Sequence, residues 1–145
     1  MPDTRFDSSW KRPEIRHNVP TEWNWVVAHP GNLELGTKSD IGAFTYIQAR
    51  YGIEIQENVQ IGSHCSIYSI STISPTGHPI IGKVTIKKGA QIGAHSTIML
   101  GVTIGEGAIV GAYSFVREDV PPGSTVVGIP AKIQAKTRTH ERQRK

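Results

Sequence analysis

The chain has 145 residues, 16 Lys or Arg against 12 Asp or Glu, a formal net charge of +4 and one cysteine. That length suits a single domain, the lone cysteine excludes a disulfide-built scaffold and fits a reducing compartment, and no apolar run of 18 residues or more marks a membrane span. The positive charge is a tail: residues 132 to 145, KIQAKTRTHERQRK, carry six Lys or Arg and one Glu, which leaves the body slightly acidic and without the aromatic-interleaved basic face of a nucleic-acid platform.

In chain order, residues 1–32 come first. They open on MPDTRFDSSW, which lacks the apolar core of a secretory leader, so a cytoplasmic location is expected. The segment holds all three tryptophans, Trp10, Trp23 and Trp25, and is read as a cap over the open end of the repeat that begins at residue 33, since an uncovered sheet edge invites unwanted pairing.

Residues 33–131 keep a beat of six. It is clearest in IKKGAQIGAHSTIMLGVTIGEGAIVGAYSFV, residues 86 to 116, where Ile or Val stands at 86, 92, 98, 104, 110 and 116. On a helix of 3.6 residues per turn, positions six apart would scatter around the axis, and a long flat strand would need alternation at every second residue. Four residues after each aliphatic comes a small one: Ala90, Ser96, Val102, Ala108, Ser114, Val120. Small inward, polar outward, aliphatic inward makes a three-residue strand, and the slot three after each aliphatic (Gly89, His95, Gly101, Gly107, Tyr113, Asp119) makes a corner. Three such sides close a coil of about 18 residues that stacks about 4.8 Å above the last, so an all-β parallel β-helix of about five coils is predicted.

Upstream, Leu35, Ile41 and Ile47 keep step; after a two-residue slip at Ile53-Glu54 the beat resumes at Ile55, Ile61, Ile67 and Ile73, and again at Ile80. Tyr51 misfits the small slot. Between Ile73 and Ile80, Ser74-Pro75-Thr76-Gly77-His78-Pro79 is rich in turn formers and predicts a small protruding loop. Cys65 falls in an inward small slot and reads as core. Residues 132–145 form the basic tail. An interior this narrow cannot bury every apolar residue, so sister chains are expected to cover the side faces.

From Leu35 to Lys132 the pattern resembles the left-handed β-helix acyltransferases built from hexapeptide repeats. GVTIGEGAIVGAYSFVREDVPPGSTVVGIPAK is similar to the closing coils of acetyltransferases acting on sugars, antibiotics and serine, and the slip before Ile55 has a counterpart in maltose and galactoside acetyltransferases. The resemblance implies a left-handed winding, a homotrimer with active sites in the clefts between columns, acetyl-CoA as donor, no metal, and a histidine that deprotonates the acceptor. It points to a small-molecule sugar acceptor: a hydroxyl or amine of a sugar or of a nucleotide-linked amino sugar of surface-polysaccharide synthesis. The rival readings are a zinc lyase like the γ-type carbonic anhydrases, which needs three histidines across a subunit interface, and a catalytically silent scaffold.

His17, His29 and His140 lie outside the repeat, which leaves three candidate bases. His64 and His95 hold corner slots; His78 sits in the inserted loop, where chemistry collects on a rigid scaffold. Counting 73, 80 and 86 as one coil and 92, 98 and 104 as the next puts His78 on the same edge as His95 and His64 on another, with Asn58 and Tyr113 extending that edge into a substrate-binding line. In the maltose-type enzymes the catalytic histidine aligns with Thr72 here, and the nearest His-Pro pair is His78-Pro79. The resemblance assigns CoA to the closing segment, with Ala112, Pro130, Lys132 and Lys136 as its contacts. Glu118 replaces a lysine common in related chains, and Arg117 is expected to supply the missing charge.

Overall fold

The computed structural model describes residues 9–135. Apart from one 3-10 turn at Pro30–Asn32, the regular structure of these residues is β, and none of their helices is long and apolar enough to cross a membrane.

Three parallel sheets form the sides of a column. A glutamate face carries Leu33–Leu35, Ile53–Ile55, Val84–Ile86 and Thr103–Ile104. A glutamine face carries Asp40–Ile41, Gln60–Ile61, Gln91–Ile92, Ile109–Val110 and Thr125–Gly128, on which Ala131–Ile133 folds back antiparallel. A tyrosine face carries Val26–Ala28, Tyr46–Gln48, Ser66–Tyr68, Thr97–Ile98 and Phe115–Val116, five strands that count about five coils.

The registers explain the beat. Leu35, Ile55, Ile86 and Ile104 pair in one inward column, Ile41, Ile61, Ile92, Val110 and Val126 in a second, and Val27, Ile47, Ile67, Ile98 and Val116 in a third. All are buried, each worth roughly 1.5–3 kcal/mol of apolar burial. Polar members of the small slot survive inside because their hydroxyls are spoken for. Thr45 Oγ1 donates to the Gly62 carbonyl at 3.0 Å, and Ser96 Oγ donates to that of Gly111 at 3.0 Å. Cys65 is buried with its Sγ 3.3 Å from the Gly93 carbonyl oxygen, and desolvation pushes its thiol pKa up. Alkylating reagents are therefore expected to leave Cys65 untouched in the native protein and to label it in denaturant, as mass spectrometry would read.

Two expectations are corrected. Ile73 and Ile80 are not sides of the helix: they are 85% and 45% exposed, and the chain from Ile70–Ser71 to Ile80–Ile81 is an antiparallel hairpin standing off the column. Pro75 and Pro79 lack the N–H that a coil side must donate to its neighbour, so this stretch cannot continue the ladder. The Gly82 N–H donates to the Ser69 carbonyl at 3.0 Å, closing the coil across the hairpin's base, and Val84 takes the place beside Ile53. The protruding element is thus larger than the six-residue loop expected. Tyr51 misfits because the corner bulges there; Ile53 and Ile55 both point inward instead.

Residues before the repeat join it. Val26–Ala28 pairs with Tyr46–Gln48, Trp25 and Val27 are buried in the common core, and Trp10 Nε1 donates to the Ser39 carbonyl at 2.9 Å.

Candidate active site

Each coil passes from the glutamine face to the tyrosine face through a corner whose third residue after the inward aliphatic adopts positive φ. Four of these are aromatic: Phe44 at φ 67°, His64 at 58°, His95 at 62° and Tyr113 at 59°. Left-handed backbone disfavours bulky side chains, so the corner is held from outside. The His64 N–H donates to Ala43 O, His95 to Ser63 O and Tyr113 to Ala94 O, all at 3.0 Å, which locks each corner onto the one before it.

A coil rise of about 4.8 Å is also the stacking distance of flat rings, so equivalent corners place their rings in register. His64 and His95 stack with centroids 4.6 Å apart and planes 4° apart; His95 and Tyr113 stack at 4.7 Å and 1°. Phe44 joins at 5.1 Å from His64, tilted 40°. All four side chains are exposed along the edge, so a substrate lying against it meets two imidazoles and a phenol.

The expected line Asn58, His78, His95, Tyr113 does not form. His64, expected on a different edge, stands between Phe44 and His95. Asn58 is at the glutamate–glutamine corner, its N–H on Thr37 O at 3.1 Å. His78 is exposed on the hairpin, its N–H 3.3 Å from Thr76 Oγ1 and its carbonyl accepting from Ser74 Oγ at 2.6 Å. The cause is the hairpin: counting Ile73 and Ile80 as sides adds two to a cycle of three and moves every earlier corner by one edge. Phe44 was missed, although it holds the turn slot three after Ile41.

Of the residues expected at the cofactor, Ala112 immediately precedes Tyr113 on this edge and is exposed. The turn containing Pro130 reaches the same corner, because the Gly128 N–H donates to Ser114 Oγ at 3.1 Å. Lys132, paired with Val127, is exposed on the returning strand, and Arg117 is exposed just beyond Phe115–Val116 on the tyrosine face. Lys136 lies outside the described residues. At the hairpin's base the Glu54 carboxyl is held below the usual carboxylate range by a hydrogen bond from Gln56 at 2.9 Å and then by Lys83 at 3.2 Å. A depressed carboxyl adds stability above its unfolded pKa and loses it as pH falls through the folded value; Lys83 is half exposed, so the contribution is small.

A three-sided column wound from six-residue repeats, with a histidine-bearing edge, defines the hexapeptide-repeat class of β-helix, and residues 80–118 match the bacterial transferase hexapeptide (six repeats) family. The chain is 31% identical to the galactoside O-acetyltransferase of Escherichia coli K12 over 92% of its own length and 79% of that protein. It is 34% identical to the serine acetyltransferase of Bacillus pumilus over 70% of its length, and it spans 47% of that relative, less than half. Among solved structures it is similar to a maltose O-acetyltransferase from Clostridium difficile 630, with TM-score 0.72 and 27% identity over 79% of this chain and 64% of that one. It is also similar to the N-acyltransferase AntD from Bacillus cereus in complex with dTDP and 3-hydroxybutyryl-CoA, with TM-score 0.60 and 28% identity over 84% and 81% of the two chains. The chain belongs to the hexapeptide-repeat transferase family.

Proposed function

We propose that the protein is a cytoplasmic, homotrimeric, acetyl-CoA-dependent acetyltransferase that acylates a hydroxyl or amine of a sugar or nucleotide-linked amino sugar, in surface-polysaccharide synthesis. The observation that carries this reading is the exposed His64–His95–Tyr113 edge in a chain so similar to a galactoside O-acetyltransferase. The maltose O-acetyltransferase and the dTDP-bound N-acyltransferase among its structural relatives favour a sugar acceptor. On the same reading residues 1–32 are the cap, with the Val26–Ala28 strand joining it to the column, 33–131 the β-helix, and 132–145 the basic tail, which begins within the returning strand.

The residues at this edge suit a CoA thioester. Ala112 leaves room for a thin arm beside Tyr113, Pro130 borders the same corner, and, away from the corner itself, Lys132 on the returning strand and Arg117 past the end of Phe115–Val116 offer cations for phosphates. His95 accepts the proton of the acceptor O–H or N–H, the freed lone pair attacks the thioester carbonyl, the C–S bond breaks, and the proton is returned to the leaving sulfur. His64 and Tyr113 hold the imidazole plane from both sides. The hairpin, with His78 and the exposed Ile73, Ile80 and Ile81, extends toward a sister chain across the cleft in the proposed trimer.

Thermal-shift measurements with CoA and acetyl-CoA, followed by thiol-release assays with galactosides, amino sugars and serine, test the proposal. Saturating CoA at a hundred times its Kd is expected to add about 2.7 kcal/mol of stability. The absence of both CoA stabilisation and thiol release with every acceptor would refute it.

A further inference from the structure

Beside the first coil, at the end of the aromatic edge, lies a cavity of about 420 Å³ lined by Trp10, Trp23, Trp25, Lys11, Glu22 and Asp40. We propose that it binds the pyranose ring of the acceptor, with Trp23 as the stacking platform; this rests on the acyl-transfer reading above.

The size is that of a small-ligand pocket, for which roughly 300–1,000 Å³ is usual, and its composition is that of a sugar site. A pyranose presents an apolar C–H face that an indole covers and a rim of hydroxyls that carboxylates and ammonium groups hydrogen-bond. A purely structural cap would bury its aromatics. Here Trp25 is buried in the core, while Trp23 is 46% exposed and lines the cavity.

The turn that carries the platform is held at its backbone. Thr21 Oγ1 accepts from the Trp23 N–H at 3.3 Å and the Trp25 N–H at 3.4 Å, and the Thr21 N–H donates to the Trp25 carbonyl at 2.9 Å. Trp10 is pinned by its bond to Ser39 O and by the Arg12 guanidinium 5.6 Å from its ring centroid; Arg12 itself donates to Leu35 O. Preformed aromatic walls cost little to order when a ligand arrives.

Position ties the cavity to the chemistry. Its lining ends at Gly42 and Ala43, the next residue is Phe44, and the Phe44 ring lies 5.1 Å from that of His64, tilted 40°. The turn carrying Trp23 is joined to the same corner by the Phe44 N–H, which donates to Asn24 O at 2.6 Å. From Phe44 to His95 is two coil steps, about 10 Å, so a sugar seated among the tryptophans directs a substituent or a linked second ring along the edge toward His64 and His95.

The test uses the full chain without acyl donor: titration calorimetry and indole fluorescence with methyl β-galactopyranoside, methyl N-acetyl-glucosaminide, and cyclohexanol as an apolar ring of similar size. A glycoside is expected to bind and quench where cyclohexanol does not, with Trp23→Ala weakening binding about tenfold or more and Trp23→Phe restoring most of it. A circular-dichroism spectrum and thermal melt of Trp23→Ala like those of the unaltered chain report that the variant is folded. Absence of glycoside binding, equal binding of cyclohexanol, or unchanged affinity in Trp23→Ala overturns the pocket. The two readings fail separately. Trp23-dependent glycoside binding without any thiol release removes the transferase and leaves the pocket, whereas glycoside-dependent thiol release with an acceptor KM unmoved by Trp23→Ala does the reverse.

Discussion

His95→Ala is expected to lower acceptor-dependent thiol release by about two to four orders of magnitude, the usual worth of a positioned general base. The residue sits at the centre of the ring stack, with His64 4.6 Å to one side and Tyr113 4.7 Å to the other. Its ring plane is fixed by both neighbours and its side chain is exposed along the edge, so an acceptor lying there can meet the imidazole. The loss should appear in kcat with little change in KM for acetyl-CoA. His64→Ala removes one stacking neighbour and leaves the proposed base, so its effect should be smaller.

His78→Ala separates two arrangements of the site. In one protomer His78 stands on the hairpin and His95 on another edge, so any cooperation between them requires two chains. If a site is built from His95 of one protomer and His78 of the next, each single variant is nearly inactive, yet trimers assembled from a mixture of the two regain activity at interfaces that carry neither change. Mixed assemblies as inactive as the parents would place both histidines in one chain's site, contrary to the fold. If His78→Ala and His95→Ala both retain near-normal turnover, the edge is not the catalytic centre.

Gly62→Ala is expected to destabilise the protein by about 3 kcal/mol or more, the upper range for overpacking against atoms that cannot retreat. A Cβ there would stand 2.6 Å from Ala94 N and 2.9 Å from Ala94 Cα, backbone of the next coil. The separation is fixed by ladder hydrogen bonds, including Gly62 N–H to Ile92 O at 2.8 Å, so relief of the clash must open the helix. Gly31→Ala is the control: a Cβ at Gly31 meets nothing within 4 Å, and a change within about 0.5 kcal/mol is expected. Urea titrations of both variants read the difference directly.

The histidine edge was half legible. The turn slots of His64, His95 and Tyr113 follow from the beat, because a corner must come three residues after each inward aliphatic. Which corners share an edge did not follow, since that depends on the number of sides between them, and the stretch from Ser69 to Lys83 contains isoleucines at 73 and 80 that imitate sides. The tryptophan cavity had no periodic signal at all. Trp10, Trp23 and Trp25 lie outside the repeat, and they meet only because the Thr21 turn and the bond from Trp10 to Ser39 fold the leading segment against the first coil.

By itself the sequence determined the column, its three faces and its aliphatic interior, because a spacing of six is a local property that each coil satisfies with its own residues. The tertiary structure decided the phase across the hairpin and therefore the stacking of His64 on His95. Phase is set by which strand Val84 pairs with, a hydrogen-bonding choice between residues distant in the chain that no local spacing records.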